Sequence, residues 1–524
     1  MWRSCGRAPA MPTMPRMQNP ASPRRGAVRA VPPLLAVLLA GCAAAPALPP
    51  VAPPAASAQA LQHRSLNDPG LQRFLTLQAG SPQPADLPWD ARRLGLAALY
   101  FHPTVRVAQA DLQLAEADLQ TARQWPNPQL QLGMKYSTTA AVAAPSPWTV
   151  GAAIGLLLVS HAQRAAQTAQ ARAGVRAARL MLSASGWAVR SQVRLAFIAL
   201  WNAEQNVTLD QRMLNERLIM QDRISQRARA GWVSPLAAAR AEQAAQAAIL
   251  QLTQAQGAVR SARIALASAV GVPDTALRDA KLDFSTMRNA PAMPDASRLA
   301  LWRTAALEHR ADVRAAAARE QAARAALQLA LTQRDGGPPT IAPGFERDQG
   351  ANRLTATATL PLPLFNQHQG QIAAARARLA LRHAELQQVQ ARALARLERA
   401  EVDLRTANAA QQQAHGLLQA DQALLRAAES SLRSGWLGPL AVARARLRVI
   451  AAERVALQAS ATQWRALAQL EDVAQQSLPA DRLGTDPAAR PGNPVPSPTT
   501  PKPFATDLPT RWTQSRGLPG QTPP

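Results

Sequence analysis

Gly231-Trp-Val-Ser-Pro-Leu236 and Gly435-Trp-Leu-Gly-Pro-Leu440 stand 204 positions apart, and nine of thirteen residues are identical between Arg229–Ala241 and Arg433–Ala445. The offset holds without a gap back to Ala171-Arg-Ala and Ala375-Arg-Ala. A chain that repeats itself over this distance builds one unit twice, and the two copies must find a way to pack together.

The second copy shows what the unit is. Leu354-Thr-Ala-Thr-Ala-Thr-Leu360 alternates apolar and hydroxyl residues, the period of a strand with one greasy and one wet face. Pro361-Leu-Pro-Leu-Phe365-Asn-Gln-His-Gln-Gly370 punctuates the change of period. From Gln371 to Ser434 there is no proline and a single glycine, Gly416, in a run of Ala, Leu, Arg, Gln and Glu, which are strong helix formers. Leu397, Leu404, Leu418, Leu425 and Leu432 share a seven-residue register missed only at Gln411. A heptad held that long predicts a coiled-coil seam. Gly435-Trp-Leu-Gly-Pro-Leu440 interrupts it, and a returning helix is expected over Ala441–Gln476.

The first copy repeats the plan. Helix is expected from Trp89-Asp90, with Asp90 as cap, through His102-Pro103 to Gln124, where Trp125-Pro-Asn-Pro128 ends it. Two strands follow. Leu130, Leu132, Met134 and Tyr136 share one face of the first; Trp148, Val150, Ala152, Ile154 and Leu156 share one face of the second. Ser137 to Pro147 forms the turn between them. Small or polar residues fill the opposite faces. Such strands suit a transmembrane barrel, with Tyr and Trp at the membrane edge, or a soluble sheet laid on a core. A long helix is expected over 161–230 and its return over Ala237–Gly271, with Pro273 after the stop. Further helix is expected over Arg298–Thr332, then strands at Pro338–Phe345 and Arg353–Leu360. No apolar run in the mature chain reaches the ~18 residues of a spanning helix, so any membrane crossing must be by strands.

Composition supports packed helices rather than a thick core: the 524 residues are 47% hydrophobic but only 4% aromatic, so Ala and Leu dominate. The net charge of +25 raises nucleic acid as a partner, but the arginines are spread along helices as on a solvated coiled-coil face. The N-terminus also argues against that partner. Arg24, Arg25 and Arg29 precede the apolar run Val31–Ala40, in secretory order, with Met17 as the expected start. Leu39-Ala40-Gly41-Cys42 resembles a bacterial lipobox, whose cysteine is lipidated and becomes the first mature residue; the other reading is an ordinary signal peptide cut nearby. Ala43 after the cysteine, where inner-membrane retention uses Asp, points to the outer membrane. Cys42 is then the only cysteine left, and no disulfide can form within one chain.

These boundaries divide the chain into a lipoprotein signal (1–41), a tether and N-terminal segment (42–88), a first repeat (89–273), a linker (274–297), a second repeat (298–476) and a Pro-rich tail (477–524) read as disordered. The tether, Ala43–Ala60, reads as flexible, and Leu61–Pro88 carries no clear pattern.

From Trp89 to Gln476 the sequence resembles the TolC family of outer-membrane efflux ducts, and within it the CzcC-like branch serving cation and drug pumps. The resemblance rests on Leu360-Pro-Leu-Pro-Leu-Phe-Asn-Gln-His-Gln-Gly-Gln-Ile-Ala-Ala-Ala-Arg-Ala, on Trp125-Pro-Asn-Pro-Gln-Leu, on both glycine tips and on the duplication. It implies a mostly α fold with a small transmembrane β part. Three chains would give four strands each to a twelve-stranded barrel and continue as a helical tunnel through the periplasm. The implied partners are a periplasmic membrane-fusion adaptor, an inner-membrane RND-type pump and outer-membrane lipid, with no cofactor. Adaptor docking would fall to Gly231, Trp232, Pro235, Leu236, Gly435, Trp436, Pro439 and Leu440; alternatively the tryptophans merely plug the hairpin ends. Family members carry aspartates just inside the tip. Here the matching positions hold Ala237 and Ala441, then Arg240 and Arg444, so a basic gate replaces an acidic ring, unless the arginines face outward and pair with Glu242 and Glu429.

Two other classes compete. An enzyme finds no support: His63, His102, His161, His309, His368, His383 and His415 show no paired ligand spacing, and there is no phosphate loop or nucleophile elbow, so no catalytic residue and no metal ligand is expected. A pore-free periplasmic coiled-coil lipoprotein would account for the helices but has no need of alternating strands.

Overall fold

The computed structural model describes residues 53–79, 87–138, 146–289, 291, 293–334 and 336–475. The signal segment, Cys42, most of the first hairpin turn and the Pro-rich tail lie outside the described residues.

The chain runs α1 (Pro54–Gln62), α2 (Pro69–Ala79), α3 (Ala91–Phe101), α4 (Pro103–Arg123), β1 (Gln129–Tyr136), β2 (Trp148–Leu157), α5 (His161–Arg229), α6 (Pro235–Val270) and α7 (Asp274–Arg278). A 3-10 turn at Ser285–Arg288 follows, then α8 (Ala296–Glu308), α9 (Ala311–Thr332), β3 (Thr340–Asp348), β4 (Ala351–Thr359), α10 (Gln369–Arg433) and α11 (Pro439–Ala474). At 69 and 65 residues, α5 and α10 are each about 100 Å long.

Helices α10 and α11 pack along the expected leucine seam. Leu397 and Leu404 are fully buried, while Leu425 and Leu432 pack beside Ala428, Val442 and Ala445 near the second tip. Ala393, Ala400, Ala407, Ala414 and Ala428 keep the same seven-residue register, missed only at Asp421, and are also buried. They supply the second position of a heptad whose small side chains let the helices approach closely. The largest core lies toward the far ends of α6 and α11, around Leu71, Leu94, Phe197, Ile198, Leu200 and Leu266. Phe197 stacks on Phe284 with ring centroids 4.6 Å apart. A second core gathers Trp302, Leu397, Leu467 and Leu470.

Four local expectations are corrected. Helix does not run unbroken from 89 to 124: Asp90 caps α3 by accepting from the Arg93 amide at 2.7 Å, but the chain leaves helix at His102. Pro103 disfavours helical backbone in the residue before it and then occupies the first position of α4. The helix expected over 298–332 breaks at the corresponding place, Arg310, where there is no proline. There a buried guanidinium bonds both oxygens of Asp312, at 2.9 and 2.8 Å, and donates to the carbonyls of Asp472 and Val473 at the end of α11. The first copy has a counterpart in Arg64, which donates to the Phe101 and Gly271 carbonyls at 2.8 Å each. Gly271, with φ of 84°, and Gln475, with φ of 50°, turn left-handed at equivalent positions after α6 and α11. Burial raises the Asp472 carboxyl above its ordinary value against the opposing pull of Arg310.

The third correction concerns the N-terminal segment. Residues 54–60, read as flexible tether, are the start of α1, consistent with their Ala and Gln content and with Pro54 in the first turn. The unassigned stretch after it contains α2, capped by Asp68 at the Leu71 amide (2.9 Å), with Leu71, Phe74 and Leu75 buried. Fourth, β3 and β4 are shifted about two residues from the expected bounds, and Leu360 falls just past β4. Within 274–297, Leu277 and Met287 join the main core.

The repeats are joined along their length by ion pairs between α5 and α11: Arg194 with Glu471, Asp210 with Arg454, Arg212 with Glu453 at 2.6 Å, and Glu216 with Arg446 at 3.7 Å.

Candidate functional site

The four strands form one antiparallel sheet in chain order, β1-β2-β3-β4, carried at one end of the long helices. Its register sets Leu132, Ala152, Phe345 and Leu354 in one row across the sheet, and Leu130, Ile154, Pro343 and Ala356 in the next. This face also carries Met134, Val150, Leu156 and Ile341, and it is exposed: Leu130, Leu132, Val150, Ile154 and Phe345 all stand open, and Leu354 is 90% accessible. The other face of β2, with Thr149, Gly151, Ala153 and Gly155, is buried or half-buried. A soluble sheet buries its apolar side. This sheet turns that side outward, as strands facing lipid do.

The dimensions agree. Eight to ten residues at ~3.3 Å and a tilt of 35–45° give a height of about 20–25 Å, close to the apolar band of a transmembrane barrel. Tyr136 and Trp148 pack edge-to-face, 4.9 Å between centroids, at the end away from the helices. On the polar face near that end, Lys135 lies 3.9 Å from Glu346, while Asp348 accepts from Thr149 Oγ1 at 2.6 Å and pairs with Arg353 at 2.8 Å.

At the opposite end of the helices stand the two tips. Gly231 and Gly435 have φ of 80° and 78°, the left-handed region that glycine enters without strain. In the first tip the Trp232 and Gly231 amides donate to the carbonyls of Arg227 and Ala228 at 2.9 and 3.0 Å; in the second, Trp436 and Gly435 donate to Ser431 and Leu432 at 2.9 and 3.1 Å. Both are Schellman closures, which satisfy the last carbonyls of α5 and α10. Pro235 and Pro439 then open the return helices. Trp232 is 78% exposed and Trp436 85%, with Leu236 exposed beside the former, so neither ring plugs its hairpin.

The tips also meet each other. Trp232 from the first, Pro439 and Leu440 from the second, and Arg223, Gln226, Arg227 and Ala230 of α5 line one open groove of about 340 Å³. The α5 residues of this groove do not stand out in sequence, because nothing local marks which helical face turns toward the other tip. Arg240 and Arg444 are exposed on the return helices, and among the described residues neither makes an ion pair. Glu429, offered as a partner by sequence, instead pairs with Arg446 at 3.4 Å.

Residues 96–272, spanning α3 to α6 with β1 and β2, match the outer membrane efflux protein family. The match falls on the first copy of the duplication, whose elements the second copy repeats. No curated protein matches the sequence significantly. Solved structures share the fold of the chain. VceC, an outer membrane protein of Vibrio cholerae, is 18% identical with a TM-score of 0.60, over 78% of this chain and 98% of its own. The CmeC outer membrane channel of Campylobacter jejuni is 14% identical with a TM-score of 0.60, over 73% and 85%. The MtrE outer membrane channel of Neisseria gonorrhoeae, solved in its open state, is 18% identical with a TM-score of 0.57, over 74% and 89%. These likenesses speak to the fold and not to a branch within the family.

Proposed function

We propose that this protein is an outer-membrane efflux protein, the duct of a tripartite pump, passing cargo such as heavy-metal cations or drugs from an inner-membrane RND-type transporter and its periplasmic adaptor to the outside. The observation that carries the reading is the inverted sheet, apolar outward and polar inward, at the end of helices about 100 Å long. In the sheet, β1 and β4 each have one unpaired edge. Hydrocarbon supplies no water to satisfy such edges, so copies must close the sheet together, and three of them make twelve strands. A pore-free spacer would gain nothing from a lipid-facing sheet.

Cys42 anchors the mature chain in this reading. A clickable palmitate analogue should label the wild-type chain and not Cys42→Ala; label retained in the variant would remove the anchor.

The exposed tips are the adaptor's docking surface, and Arg240 and Arg444 line the closed end of the tunnel. Three copies would set six guanidiniums around one constriction, where unpaired like charges exclude cations. In planar bilayers the purified protein should prefer anions, and Arg240→Asp with Arg444→Asp should reverse the preference. A cation-selective wild type, or selectivity unchanged in the double variant, would take both arginines out of the gate.

A further inference from the structure

The segment joining β4 to α10 is apolar and uncovered. Leu360, Leu362 and Leu364 are exposed, and Phe365 is 98% accessible among the described residues. Yet the segment is held in place. Pro361 and Pro363 lie against the turn at Gly336 and Gly337, where a Cβ on Gly336 would meet the Pro361 carbonyl oxygen at 2.7 Å. The Leu364 amide bonds the Leu362 carbonyl at 2.9 Å, and Asn366 Oδ1 takes the His368 amide at 2.8 Å. It is a fixed apolar knob.

At the same end of the sheet, but on its opposite edge, lies a surface of matching character. Trp125 leads through Pro126-Asn127-Pro128 into β1 and is 65% exposed. One face of its ring is covered by Arg164, whose guanidinium carbon sits 3.6 Å from the ring centroid and whose Nη2 donates to the Arg123 carbonyl at 3.1 Å. A cation stacked this way fixes the ring and leaves the other face free.

The two surfaces lie on the two open edges of one antiparallel sheet. Strand β1 runs away from the helices and β4 runs back toward them, so β4 of one copy continues the alternation when it pairs with β1 of the next. That pairing brings the end of β4 beside the start of the neighbour's β1. We infer that Leu364 and Phe365 of each copy seat against Trp125-Pro-Asn-Pro128 of the adjacent copy, an aromatic clasp that closes the junction between barrel and helices. This inference rests on the barrel reading and adds to it a defined contact between copies.

Two tagged forms of the full chain, one Phe365→Cys and the other Asn127→Cys, are co-expressed and treated in membranes with a short bis-maleimide. Cross-linked pairs bearing both tags are expected within assemblies of wild-type size. Wild-type-sized assemblies without such pairs would overturn the clasp and leave the barrel standing; absence of any assembly in the wild-type chain would overturn both. Should Phe365→Cys fail to assemble, Leu364→Cys with Asn127→Cys carries the same test. A bimane probe at position 365 gives a second readout. Relief of its quenching by Trp125→Phe supports the clasp, whereas quenching by brominated lipid instead means that Phe365 faces the bilayer and the clasp is absent.

Discussion

Arginine in place of Ile154 should lower barrel stability by about 2–4 kcal/mol, whereas Ala153→Ser next to it should change stability little. The two residues are neighbours in β2 with opposite faces: Ile154 is exposed on the apolar side and paired with Leu130, while Ala153 is half-buried on the polar side opposite Gln131 and Gly344. At mid-strand a guanidinium on the lipid face sits deep in hydrocarbon and can escape only by snorkelling or thinning the bilayer. A serine hydroxyl on the inner face meets water. Denaturant titration of protein folded into lipid vesicles measures the difference. Equal sensitivity at the two positions would mean the sheet has no lipid side.

Replacing Gly231 and Gly435 together by valine should abolish efflux while leaving the assembly intact. A β-branched residue at φ near 80° is strained by about 1–3 kcal/mol per site. Since among the described residues no neighbouring atom lies within 4 Å of a Cβ built at either glycine, the strain is one of backbone alone. The chain relieves it by opening the reversal, which breaks the amide bonds from Trp232 and Trp436 and moves both exposed rings. Those bonds lie at the far tips of helices about 100 Å long, remote from the sheet and from the main core, so assembly has no reason to fail. Normal drug or metal resistance with normal amounts of assembled protein would refute docking at the tips.

Much of this architecture is legible in the chain because its elements are long and their periods are local. Parity along Leu130–Tyr136 and Trp148–Leu156 identifies the two faces of the sheet, and a glycine followed by tryptophan and proline fixes each helical reversal. The break at Arg310 is not legible, since the groups that hold it, the carbonyls of Asp472 and Val473, lie more than 160 residues away. The break at His102 is legible, because Pro103 disfavours helical backbone in the residue before it. Half of the α10 seam is hidden because buried Ala393, Ala400 and Ala407 look like any other alanine in an alanine-rich helix. The packing of α2 escaped for a different reason: Leu71, Phe74 and Leu75 form a stripe too short to stand out between polar flanks. The groove residues Arg223 and Arg227 become visible only when the two tips are seen side by side.

The central claim is that this sheet is one third of a closed barrel. Native mass spectrometry of the protein extracted from membranes tests it most directly. The account predicts a complex of three copies that survives delipidation. A stable, folded monomer would contradict it, because four strands with two open edges cannot close around a pore.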